Sequence, residues 1–250
     1  MHADKFVIPA EAASATKLET DVEVLRAQAG LYAFLGRCLE SEVDQALLVA
    51  LRGPLRDTLA ELGIDIGEDL RSGAPKEVLA DLGEEFAALF VVPGAVLPYR
   101  SAYETGRLFQ PQADLATAAY RDAGFDFRNI LSGEFPDHVA VMLAFVGRLL
   151  ERQAEALEAG NTDAAAEWQR RREHFLLHQI GGWAVGWSRR AQSCARHPFY
   201  LAVLGLAEQV IWADIGDIAD EKTLKRLVKS NRRPLVKQKT DHAFRKASGF

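Results

Sequence analysis

Cysteine is nearly missing from this 250-residue chain: Cys38 and Cys194 stand far apart, and neither belongs to a CxxC pair or a His/Cys metal spacing. A disulfide framework and a structural zinc site of the usual kind are thereby excluded, and reduced thiols in a cytoplasmic protein are expected. Long apolar runs are scarce too. None is read as approaching the roughly 20 residues that cross a bilayer, and Met1 to Ala15, which carries Asp4 and Glu11, lacks the apolar core of a secretory signal. The chain is expected to stay where it is made, with no stable membrane insertion. GxxxxGK[ST], GxGxxG after a strand, HExxH and GxSxG are all absent, so nucleotide cradling, zinc hydrolysis and nucleophile-elbow chemistry lack their usual parts. Period-two alternation between hairpin turns is missing as well, which leaves an all-α class.

Apolar residues are plentiful at 48%, enough for a substantial core in one large helical domain. A formal charge of -5 argues against nucleic acid as the partner of the whole chain. The average conceals an asymmetry. Residues 221–250 hold ten Lys/Arg and two acids, against 20 and 33 in residues 1–220, so a body near -13 carries a tail near +8. Three readings follow: an acidic surface for a basic partner, a tail that folds back on its own body, or a solvated disordered terminus.

Helical periodicity places a first helix over Leu18 to Leu39, in which Gly30 and Gly36 suggest a close helix–helix approach. Two short helices, Glu42 to Leu51 and Pro54 to Leu62, precede a Gly/Asp-rich loop, and Pro75 opens another helix that ends before the apolar turn Val91 to Tyr99. Arg100 to Gln110 reads as connector and Gln112 to Gly124 as helix. A helix starting at Pro136 runs to Leu157. Helices follow from Asn161 to Ile180 and from Pro198 to Ile211.

Glu134, Asp137 and His138 place two carboxylates and a titratable imidazole within one turn. Such a cluster suits a cation, a peptide's arginine or acid–base work, whereas Asp137 as a helix cap and His138 as a satisfied histidine is the simpler reading. Tyr99, Tyr103, Phe109, Phe135, Trp183 and Trp187 lie near turns. They could wall an apolar groove rimmed by Glu84, Glu85, Glu104, Glu134 and Asp137, or belong to the core. Cys38 and Cys194 sit in ordinary helical patterns, where an inert thiol is the expected state.

The stretch Glu134-Phe135-Pro136-Asp137-His138 resembles the E-x-PDH signature of the TorD/DmsD/NarJ family of redox-enzyme maturation chaperones. Glu85-Phe86 to Phe90, Val92-Pro93-Gly94 and Pro98-Tyr99-Arg100-Ser101-Ala102-Tyr103 resemble its central region, with Arg100 where the family usually has Glu. Trp183 and His197-Pro198-Phe199-Tyr200 resemble its late region. The resemblance implies a single all-α domain of about ten helices, sometimes domain-swapped into dimers, over residues 18–219. An N-terminal extension (1–17) and a basic C-terminal tail (220–250), disordered in one reading, would flank it.

It also implies a chaperone without catalysis or cofactor. Its partner would be the twin-arginine signal peptide or N-terminal segment of a molybdoenzyme catalytic subunit precursor, held until the molybdenum cofactor is inserted. Glu134, Pro136, Asp137, His138, Tyr99, Ser101, Tyr103 and Trp183 are the implied client-binding residues. Two other readings remain at this point: an all-α enzyme using His138 and Asp137, and a scaffold whose basic tail binds nucleic acid or anionic lipid.

Overall fold

The computed structural model describes residues 10–61, 63–92, 94–128 and 135–232. Their order is α1 (Ala10–Glu40), α2 (Gln45–Arg52), α3 (Arg56–Glu61), α4 (Glu68–Ser72), α5 (Pro75–Phe90), α6 (Arg100–Thr105), α7 (Pro111–Asp122), α8 (Val139–Glu158), α9 (Thr162–Phe175), a π-helical turn (Leu176–Ile180), α10 (Ala184–Cys194), α11 (Pro198–Ile218) and α12 (Glu221–Asn231). Among the described residues there is no strand, and the one β-bridge joins Tyr99 to His138. The all-α class read from the sequence is the class observed.

The axis of the bundle is α1 laid against α8. Both helices turn an apolar stripe inward, with Tyr32, Leu35 and Leu39 on one side and Met142, Leu143, Val146 and Leu150 on the other, all fully or almost fully buried. Their backbones come close because each supplies a glycine at the crossing. A Cβ on Gly36 would stand 3.1 Å from the Ala140 carbonyl oxygen, and one on Gly147 3.1 Å from that of Ala29. Gly30, also expected at a close approach, has open space around it.

Helix α11 is long and apolar enough to cross a membrane by length and composition. No run of that kind was expected. Its apolarity serves the core: Phe199, Tyr200, Val203, Leu204, Ala207, Ile211 and Ile215 are buried in it. Its start is fixed twice, by Pro198 at the first position and by the Glu85 carboxylate, which accepts the Arg196 and His197 backbone N–H groups at 2.6 and 2.8 Å. Glu85 is therefore a structural acid rather than part of a groove rim.

The basic segment from residue 220 departs from a disordered tail in its first third. Asp220 caps α12 by accepting the Thr223 N–H at 2.7 Å, and Leu227 is wholly buried. Asn231 then locks the helix end. Its side chain accepts the Gly186 N–H at 2.7 Å and donates to the carbonyls of Gly181 and Leu227 at 2.7 and 2.9 Å, while its own carbonyl accepts the Tyr103 hydroxyl at 3.1 Å. A Cβ on Gly186 would run into Tyr103 Oη and the Asn231 carbonyl, so only glycine permits this docking. Residues 233–250 lie outside the described residues.

Candidate functional site

The Pro136-Asp137-His138 turn is held from several sides. The Tyr120 hydroxyl donates to the Pro136 carbonyl at 2.6 Å, the Arg100 N–H to the Asp137 carbonyl at 3.1 Å, and the Val139 N–H to the Pro98 carbonyl at 2.8 Å. The Asp137 carboxylate, only 1% exposed, accepts the Ser101 N–H at 2.8 Å. Asp137 is thus a cap, but for α6 rather than for its own helix: it satisfies one of the orphan donors in the first turn of α6, and its charge sits at the positive end of that short helix. The two motif segments, Pro98 to Ser101 and Pro136 to His138, are stapled to each other through it. Ser101 is fully buried and its hydroxyl has no hydrogen-bond partner, so the position serves by being small.

Helix α8 begins at Val139, three residues later than the sequence suggested, because Pro136 and Asp137 are used in the turn and His138 is the N-cap. The His138 Nδ1 accepts the Ala140 N–H at 3.1 Å. Burial pushes this imidazole down to about 4, so at neutral pH it is uncharged. With Nδ1 accepting, the single proton is on Nε2. The Nδ1 lone pair is thus engaged in capping the helix.

The remaining aromatic residues near the turns separate into two groups. Tyr99 and Phe135 pack edge to face at 5.6 Å, Tyr99 and His138 at 4.9 Å, and Phe109 meets Phe135 at 4.7 Å. Tyr99 and Phe135 are partly exposed, His138 is buried behind them, and Phe109 is 77% exposed with φ at 58°. Tyr103, Trp183 and Trp187 belong to the core. Trp183 is fully buried, donates to the Gln179 carbonyl at 2.8 Å and packs on Tyr103. Trp187 stacks on Phe90 and donates to the Val96 carbonyl at 3.2 Å, which seats the Val96–Tyr99 segment. Pro136 is half-buried in the turn, and Glu134 lies outside the described residues.

A groove of about 640 Å³ opens over the first group, with Phe86, Phe90, Leu97, Tyr99, Phe135 and His138 as its floor and walls. Its acidic side comes from elsewhere: Glu40, Glu42 and Asp44, at the end of α1 and in the turn to α2. Of the acids expected at the rim, Glu85 and Asp137 are engaged as above. Glu104 is held by Arg100 at 2.9 Å and by Gln112 at 2.9 Å. Arg100, the departure from the family pattern, is absorbed by Glu104 and the Gln179 side chain and does not line the groove.

Asp44 is held below the usual carboxylate range by the Leu47 N–H first, and by Arg37, its partner at 2.8 Å. Glu40 and Glu42 are exposed, and the Glu42 carboxylate rests over Gly83 of α5, where a Cβ would stand 3.1 Å away. The signal for these residues was in the sequence as three acids within Glu40-Ser41-Glu42-Val43-Asp44. Cys38 next to them is inert, its thiol pushed up to about 12 by burial.

The site is thus two distant motifs stapled by a buried aspartate beside an apolar, acid-edged groove in an all-α domain. Residues 49–188, more than half of the chain, match the family described as nitrate reductase delta subunit, and the chain belongs to that family. This places it among the TorD/NarJ redox-enzyme maturation chaperones, which act in molybdoenzyme maturation and whose role implies a molybdoenzyme partner. The match spans Tyr99, Asp137, His138 and Trp183. No curated protein matches the chain.

Proposed function

We propose that this protein is a cytoplasmic, system-specific chaperone that holds the N-terminal segment of a molybdoenzyme catalytic subunit, with its twin-arginine signal where present, until the cofactor is inserted. The observation that carries this reading is the groove over Tyr99, Phe135 and His138 with Glu40 and Glu42 at its edge. An apolar segment preceded by two arginines offers the complementary chemistry: its side chains displace water from the aromatic floor while guanidinium groups meet carboxylates in charge-assisted pairs.

In this reading Tyr99 and His138 touch the client. Asp137, Ser101 and Pro136 position them, and Tyr103 and Trp183 support the wall from behind. Glu134, beside the same turn, is retained as a client contact. Catalysis and a bound cofactor form no part of the proposal.

Affinity capture from cells tests it. Wild-type protein should retain a molybdoenzyme catalytic subunit identified by mass spectrometry, and Tyr99→Ala and Glu40→Lys/Glu42→Lys should lose it while keeping wild-type helicity. Retention of the subunit by both variants would place the client elsewhere on the molecule.

A further inference from the structure

We infer that the groove has an occupant of its own, the C-terminal segment 233–250, which binds it in cis and is displaced by the client. The inference rests on the groove being the client site and adds a competitor to it.

Where the chain leaves the described body is the first argument. The Asn231 carbonyl accepts the Tyr103 hydroxyl, and the Tyr103 N–H bonds the Tyr99 carbonyl at 3.0 Å. The segment therefore departs from the far end of the Tyr103 side chain, on the helix whose N-cap, Tyr99, forms part of the groove wall. Residues 233–250 span at most about 60 Å when extended, well beyond what the groove requires.

Chemistry is the second. Residues 233–250 carry five Lys/Arg and one acid, and they begin with Arg233-Pro234-Leu235-Val236. Apolar residues flanked by cations are what an acid-edged aromatic groove recognises, and the exposed Glu40 and Glu42 supply the opposite charge. Tethering does the rest. A segment on so short a leash faces its site at an effective concentration of about a millimolar, so even a weak contact is populated until a client with more apolar surface competes it away. The acidic body and basic tail legible in the composition then have one explanation.

Zero-length carbodiimide cross-linking of the full chain tests this, because it joins only carboxylates and amines already in contact. Links from Lys237 or Lys239 to Glu40 or Glu42 are expected, absent in Glu40→Gln/Glu42→Gln. In a mixture of ¹⁴N- and ¹⁵N-labelled protein they should join residues of one label only. Alongside, the full chain with Arg233→Ser/Lys237→Ser/Lys239→Ser should bind a fluorescent synthetic peptide of residues 233–250 at least about fivefold more tightly than wild type, its own tail no longer competing.

Tail links that map elsewhere, links between labels, or equal peptide affinity in the two proteins would each overturn the inference. If wild type captures its molybdoenzyme precursor and no tail–groove link forms, this inference fails and the proposed function stands. Links without capture of a precursor remove the client, and the competition with it.

Discussion

At the scale of single residues, Asp137 and His138 do different work from what their signature suggests on its face. Asp137 accepts a buried backbone N–H, so Asp137→Ala strands the Ser101 donor and should cost about 2–3 kcal/mol in chemical denaturation. Asp137→Asn, whose amide oxygen still accepts, should cost less. For His138 the unfolded imidazole takes its proton near 6.5 and the folded one near 4. The folded state is therefore the poorer proton binder across that window. Stability is fully present above pH 6.5 and is lost as pH falls towards 4, by up to about 3 kcal/mol. His138→Asn keeps a cap acceptor without the titration, and denaturation midpoints over pH 7 to 4 should be flatter for it by that amount. The motif was legible in the sequence, as was the choice between cap and site. That Asp137 caps the helix of Ser101, 36 residues back, was not, because nothing in a single sequence pairs a carboxylate with a distant N–H.

Elements were legible in proportion to their length and punctuation. Pro75, Pro111 and Pro198 each start a helix where their missing N–H and fixed φ require it. Helices α4 and α6 were read as loop and connector because five or six residues hold no full apolar period, and α6 exists largely through Asp137. Gly36 fits its expected role, and Gly147 shares it without having been singled out. Gly147→Val should force α1 and α8 apart and cost about 1–3 kcal/mol in thermal unfolding. The charge of α12 disguised it as tail, although Leu224, Leu227 and Asn231 carry its contacts with the body. Asn231→Ala removes the lock at its end and should expose α12 first, seen as hydrogen exchange faster by about tenfold or more in residues 221–231 with the remaining core protected.

For the whole molecule, class and family were legible because an all-α pattern and three separated motifs agree with one another. The groove was only half legible. Its aromatic wall lies beside the signature, whereas Glu40, Glu42 and Asp44 come from nearly a hundred residues earlier, carried there by the α1–α8 contact. The central claim is that this joint surface takes an arginine-bearing apolar segment. Its most direct test is a fluorescence anisotropy titration of the N-terminal segment of the captured precursor against wild type and Glu40→Gln/Glu42→Gln, in about 50 and about 500 mM NaCl. The account predicts binding at least about tenfold weaker for the variant in low salt, with the difference shrinking in high salt as the wild-type ion pairs are screened. Equal affinities for the two proteins in both salts would contradict it.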